Sequence, residues 1–221
     1  MRGLLRRGIR TLDTQSVYAK WAENYPAQAH NALMEVEQDA LLSLLPDVCG
    51  KQVLDLGCGS GRYTRVLRKS GAGFAFGVDL SRAMLRAGHA VHAGHVAQAD
   101  WLAIPFPADT FDVIVSGLTI GHVYDLTAAL AEAARVLKVD GALLYSSFHP
   151  LGHSLGWQRT FQTSDGEAFA VESYAHLIAD HFAAAQAAQL RLVALHEPRL
   201  KQGEAPVALV ARLEKSIDGN E

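Results

Sequence analysis

Val53 to Thr64 reads VLDLGCGSGRYT, an apolar stretch with an acid at Asp55, followed by glycines alternating at Gly57, Gly59 and Gly61. A short strand running into such a turn brings backbone close to something, because glycine adopts left-handed conformations and leaves no side chain in the way. Several nucleotide cofactors call for a glycine-rich turn after a strand, and they support unrelated chemistry.

Outward from this stretch the chain alternates. KQVLDLG is a strand and GRYTRVLRKS a helix; GFAFGVD is a second strand, SRAMLRAGHA a helix capped by Ser81, and HVAQAD a third, weaker strand. TFDVIVSG, the helix LTAALAEAARVLK and the strand GALLYSSF continue the rhythm. Strands apolar nearly throughout are expected where helices cover both faces of a parallel sheet. The spacing predicts a doubly wound α/β domain. Upstream, Leu33, Val36, Ala40, Leu41 and Leu44 fall at helical spacing after Asn31, a cap, and Pro46 closes the run.

After Phe148 the rhythm changes. RTFQTSDGEAFAVESY reads as two short strands around Ser164–Glu167, then a helix from about Tyr174 to Gln189. LRLVALHE and APVALVARLE then form a hairpin whose last strand runs antiparallel, making seven strands in a mostly parallel sheet. Residues 149–173 are expected as an insertion over the sheet's carboxyl edge, within a single domain spanning 1–221. Ligands bind at that edge in open sheets.

The 221 residues are 49% apolar and 19% charged, with a net charge of −3. That supports one sizeable core and gives no basic footprint for nucleic acid. No segment approaches the roughly 20 apolar residues of a membrane span. The two cysteines, Cys49 and Cys58, do not make a disulfide scaffold, which points to a reduced, cytoplasmic setting. The start MRGLLRRGIR, with Arg2, Arg6, Arg7 and Arg10, reads as a ragged, solvated terminus. In GHAVHAGH, His89 and His92 share a helix face, but nothing nearby completes a ligand set; no metal site is expected, only a solvated helix end.

The dinucleotide fingerprint needs a glycine where Arg62 or Thr64 stands, and no Gly-Lys-Ser/Thr makes a P-loop. Asp79 ends the second strand about 20 residues beyond the first glycine, where an acid accepts from both ribose hydroxyls. Asp100 ends the third strand in QADW, where it can accept from an adenine amino group while Trp101 or Leu102 packs the ring. None of the six tyrosines has lysine four residues on, so a short-chain dehydrogenase does not fit.

VLDLGCGSG, GVDLSRAML, QADWLAIPFPADTFDVIVS and ARVLKVDGALLYSSFHP, in that order and spacing, resemble the motifs of class I S-adenosylmethionine-dependent methyltransferases. The resemblance is closest to the small-molecule branch that includes malonyl-acyl-carrier-protein methyltransferases. It implies a Rossmann-like methyltransferase fold, S-adenosylmethionine as cofactor, and a helical lid over residues 1–46. By that resemblance Asp55, Gly57, Cys58 and Gly59 surround the methionine part and Asp79 holds the ribose. Leu80 and Met84 face the adenine, with Met84 equally at home as helix core. Asp100 and Trp101 hold the adenine edge, Ser116 lines the sulfonium region, and Tyr18 or Tyr25 reaches the cofactor carboxylate.

Methyl transfer from a sulfonium asks for positioning and, for acceptors that must lose a proton, a base. His122 after the fourth strand and His149 after the fifth are candidate catalytic bases on the rim. Either one could instead hydrogen-bond a loop carbonyl. Two rim histidines favour O- or N-transfer to a small molecule, with no nucleic acid or membrane partner; a non-catalytic sensor of the adenosyl ligand is the alternative. Trp157, Arg159, Phe161, Glu172, Tyr174 and His176 are candidates for the acceptor pocket. Arg159 is the only lysine or arginine between Leu151 and Leu190, which argues against an acidic carrier as partner.

Overall fold

The computed structural model describes residues 9–26, 28–163 and 166–216. Arg2, Arg6 and Arg7, and the turn residues Ser164 and Asp165, lie outside the described residues. In chain order the elements are β1 (Arg10–Leu12), α1 (Thr14–Trp21), α2 (Ala32–Ser43), β2 (Gln52–Leu56), α3 (Arg62–Lys69) and β3 (Phe74–Asp79). Then come α4 (Arg82–Ala87), α5 (His89–His92), β4 (Val96–Gln98), β5 (Phe111–Ser116), α6 (Leu126–Val136) and β6 (Leu137–Phe148). The chain continues through α7 (Leu151–Ser154), β7 (Thr160–Gln162), β8 (Ala168–Val171), α8 (Ile178–Ala187), β9 (Leu190–His196) and β10 (Ala208–Lys215).

The main sheet has seven strands in the order β4-β3-β2-β5-β6-β10-β9, with β10 antiparallel to both its neighbours and every other pair parallel. This is the doubly wound sheet with an antiparallel last strand that the apolar runs predicted. Strand alternation sends side chains to two helical layers. Val53, Val113, Val115, Leu144 and Val210 pack with Leu41 of α2 and with Tyr63 and Leu67 of α3. Leu54, Leu56, Ile114 and Leu143 pack on the other face against α6 and α8, where Ala129, Ala133, Ala184 and Ala185 are all buried. The chain leaves β2 toward β3 and β4, then returns to β5 on the other side of β2. The crevice at the carboxyl ends of β2 and β5 is therefore the topological switch point, where such sheets take ligands.

A second, three-stranded sheet has the order β1-β8-β7; β7 and β8 are the two short strands expected on either side of Ser164–Glu167, paired antiparallel, and β1 is the strand that was not expected. Arg10, read from sequence as part of a solvated terminus, pairs with Phe169, and β1 runs parallel to β8. The helix expected from Tyr174 begins only at Ile178, because Tyr174 N–H donates to Gly121 O at 2.8 Å and Asp180 Oδ2 accepts from Leu177 N at 2.8 Å. Val17, Phe161, Phe169 and Val171 form a small core of their own, with Leu12, Tyr18 and Trp21 against it. The N-terminal segment and the insertion are thus stitched together into one cap. Among the described residues no helix is long and apolar enough to cross a membrane.

Candidate functional site

A cavity of about 300 Å³ opens at the carboxyl ends of the central strands, between the glycine turn and the cap. Its floor is the turn after β2. Gly57 has φ +76°, and a Cβ there would lie 2.3 Å from Thr119 Cγ2, so only glycine lets the loop after β5 come this close. Gly59, at φ +52°, donates its N–H to Asp79 Oδ2 at 2.8 Å.

His92 holds the turn from behind. It is fully buried, and its Nε2 donates to Gly59 O at 3.0 Å. It fits because Gly88 has no side chain: a Cβ there would sit 2.4 Å from Nε2. Burial lowers its pKa. The solvated helix end expected at GHAVHAGH is corrected at this position.

The carboxylates differ in their partners. Asp55 Oδ2 accepts from Thr64 N at 2.7 Å and from Thr64 Oγ1 at 2.6 Å. It caps α3 from the neighbouring strand, where the N-cap position is Gly61 and supplies no side chain. Burial pushes its pKa up to about 6. Asp79 Oδ1 accepts from Ser81 N at 2.7 Å while Oδ2 takes Gly59 N–H, and burial raises this acid as well. Each Asp79 oxygen keeps a second lone pair, and the residue lines the cavity. Asp100 is exposed, with Oδ1 accepting from Leu102 N at 3.0 Å.

Tyr18, Tyr25, Asp55, Gly57, Cys58 and Gly59 all line the cavity, as do Asp79, Leu80, Met84, Asp100, Trp101 and His122. Two expected residues do not. Ser116 follows Ile114 on the α6 and α8 face by strand alternation; it is fully buried, its hydroxyl has no partner among the described residues, and Gly117, Leu118 and Thr119 make the wall instead. His149 is buried away from the cavity, its Nδ1 accepting from Leu151 N at 3.2 Å and its Nε2 bonded to Glu197 Oε1 at 2.8 Å. A base at the rim is not available from that side chain.

His122 reaches the cavity with both nitrogens engaged. Its Nδ1 lies 2.9 Å from Glu172 O, which fixes the proton there, and its Nε2 faces Arg159 Nη1 at 3.1 Å and Tyr18 Oη at 3.3 Å. Burial, with the Arg159 cation second, drives its pKa down to about 4. Of the insertion residues, Arg159 and Tyr174 line the cavity. Phe161 belongs to the cap's core, and Trp157 is exposed while packing on Gly152. Glu172 contributes its carbonyl to His122, and His176 Nε2 bonds to Val123 O at 2.7 Å.

Sequence reasoning missed Arg62 and Tyr63, which also line the cavity. Glu37, with no exposed surface, binds Arg62 Nη1 at 2.8 Å, Tyr63 Oη at 2.7 Å and Ser146 Oγ at 2.5 Å. The available signals were the polar pair directly after the last glycine and an acid on the apolar side of α2.

Residues 54–145 match the family model described as a methyltransferase domain. Over this stretch, less than half of the chain, the sequence is similar to methyltransferase domains. Among curated relatives, the malonyl-[acyl-carrier protein] O-methyltransferase of Enterobacter lignolyticus is 36% identical over 138 residues, covering 62% of this chain and 55% of that protein. The demethylmenaquinone methyltransferase of Roseiflexus castenholzii is 39% identical over 102 residues, covering 44% and 42%. The chain thus spans about half the length of the curated relatives it matches. A methyltransferase structure from Mesorhizobium loti superposes with a TM-score of 0.69 at 22% identity, covering 81% of this chain and 98% of that one. The geranyl diphosphate C-methyltransferase of Streptomyces coelicolor, solved with S-adenosyl-L-homocysteine, gives 0.65 at 15% identity, covering 91% and 97%. S-adenosylmethionine is the cofactor that goes with this match, and the lining fits it: a Cβ at Gly59 would stand 3.1 Å from Met84 Cε on the cavity floor, and Asp79 lies beside it with lone pairs to spare.

Proposed function

We propose that the cavity binds S-adenosylmethionine and transfers its methyl group to a small-molecule acceptor. The observation that carries this is Asp79, a raised-pKa carboxylate at the end of β3, tied to the glycine turn and open to the cavity. In this reading Asp79 accepts from the ribose hydroxyls and Asp100 from the adenine amino group. Leu80, Met84 and Trp101 enclose the ring. Arg62, held by Glu37, and the cap tyrosines Tyr18 and Tyr25 close the methionine end.

When bound, the cofactor supplies an electrophilic methyl group for in-line displacement. What the protein contributes is orientation, which can supply on the order of 7–11 kcal/mol in well-aligned cases. The cap formed by β1, α1, β7 and β8 acts as a lid that excludes water. With His149 turned away and His122 Nε2 occupied, no histidine serves as base. We infer an oxygen or nitrogen acceptor that already presents a lone pair at neutral pH.

Calorimetry with S-adenosylhomocysteine tests the binding site. Asp79→Asn should weaken affinity by roughly 10-fold or more, since a hydrogen bond to a charged group is worth about 1.5–3 kcal/mol. Its melting temperature should stay within a few degrees of wild type. Unchanged affinity would overturn the assignment. Radiolabelled methyl transfer into a metabolite extract tests catalysis; binding with no transfer to any metabolite would favour a sensor.

A further inference from the structure

Two cations line the cavity, and only one of them is neutralised. Arg62 is paired with Glu37. Arg159, which enters the cavity from the start of β7, has no carboxylate within ion-pair distance among the described residues. Its Nη1 is bonded to the neutral His122 Nε2 at 3.1 Å and approaches Leu118 O at 3.4 Å. Around it stand three rings: Phe148 at 5.0 Å, Tyr18 at 5.5 Å and Trp21 at 5.7 Å from the guanidinium carbon.

A guanidinium carries five N–H donors in a planar fork, and among the described residues only those on Nη1 have protein acceptors. The aromatic walls fix its plane and exclude water without offering a countercharge. An uncompensated cation in such a place favours an incoming anion, and the fork matches a carboxylate with two parallel bonds. The location separates this anion from the cofactor's sugar and base. Arg159 lies against Leu118 and His122, after β5, whereas Asp79 ends β3 and Asp100 follows β4.

Building on the methyl-transfer reading of this cavity, we propose that Arg159 anchors a carboxylate of the acceptor and that His122 is the positioning residue that aims the guanidinium. His122 suits that task. Its proton sits on Nδ1, bonded to Glu172 O, so Nε2 presents a lone pair to Arg159. Protonating Nε2 would set two cations face to face, consistent with the depressed pKa of the ring. The acceptor is therefore an organic anion small enough to share the cavity with the cofactor, with an apolar body against the tyrosines that line it.

Benzoate and its neutral counterpart benzamide serve as probes, followed by ligand-observed NMR on the full chain, with and without saturating S-adenosylhomocysteine. Benzoate should bind at least about 10-fold more tightly than benzamide, as expected for a bidentate charged pair. Arg159→Gln should abolish that preference and leave S-adenosylhomocysteine affinity within about twofold. His122→Ala should reduce the preference, and His122→Gln, whose amide oxygen still accepts from the guanidinium, should restore it. Equal binding of the two probes to the wild-type protein would overturn the proposal. So would a roughly 10-fold loss of S-adenosylhomocysteine affinity in Arg159→Gln, which would assign the cation to the cofactor's own carboxylate. Failure of the wild-type protein to bind S-adenosylhomocysteine would remove the methyl-transfer reading alone, because the cofactor-free titration still decides whether Arg159 selects the anion.

Discussion

At the scale of single residues, what decides a side chain's role here is its partner rather than its type. Asp55 and Asp79 both end apolar strands, yet one caps α3 through Thr64 and the other spans from the glycine turn to Ser81. His92, His122 and His149 all looked exposed or reactive in the sequence. One pins Gly59 O, one holds Arg159, and one is tied to Glu197. For His122 this gives a direct expectation. Its ordinary value of 6.5 falls to about 4, so the ring stays neutral through the usual working range. Imidazole nitrogen shifts followed by NMR should show His122 as the Nδ1–H tautomer, unmoved between about pH 8 and pH 5, whereas an unperturbed histidine titrates near pH 6.5. A His122 transition near neutrality would contradict the hydrogen-bond pattern on which its positioning role rests.

At the scale of elements, the two walls of the cavity are joined beneath the surface by one buried carboxylate. Glu37 of α2 binds Arg62 and Tyr63 of α3 and Ser146 of β6, and Ser146 Oγ in turn accepts from Leu118 N at 2.8 Å. Four segments distant in sequence thereby share one polar knot. Removing one partner of a buried ion pair leaves the other uncompensated, at a cost of about 3–5 kcal/mol. Glu37→Ala should lose about that much stability in urea unfolding, and a loss below about 1 kcal/mol would show that the knot is not holding the walls together. The seven strands and their helices were legible because apolar runs, Ser81 and Asn31 caps and glycine turns all encode local geometry. The knot was not, since an acid at Glu37 on the apolar side of α2 marks an oddity but does not name its partners until α3 and β6 are packed against it. Nor was β1, whose three residues are mostly exposed and carry no periodicity; only its pairing with β8 makes it a strand. The residues expected from the glycine turn and from the segments that follow β3 and β4 do line the cavity. Ser116 and His149 lie outside that lining, because reaching a strand end does not fix which way a side chain points.

For the whole molecule, burial of ionisable groups on both sides of the sheet sets how stability responds to acid. His122 and His181 are each pushed down to about 4 and His92 is lowered, in all three cases mainly by burial. A folded-state pKa below the unfolded value means that the unfolded chain takes up the proton first. The contribution of these histidines is complete above about pH 6.5 and is lost as pH falls toward 4. Asp55 and Asp79 act with the opposite sign. Their raised values mean that protonation favours the folded form, so acid relieves a cost that is present at neutral pH. The two sets overlap inside the cavity, where cofactor binding would disturb both, but His181 lies apart from it. It is buried on α8 against β6, with Tyr145 Oη 3.0 Å from its Nδ1 and no partner for its Nε2 among the described residues. Each proton taken up only on unfolding contributes a slope of about 1.4 kcal/mol per pH unit. His181→Phe keeps an aromatic ring at this position and removes the titration. Urea unfolding of the cofactor-free protein between about pH 6.5 and pH 4.5 should therefore give a shallower acid loss in His181→Phe than in wild type, by up to that slope. An identical slope in the two proteins would mean that His181 is protonated in the folded state at those pH values, and that the polar face between β6 and α8 admits water.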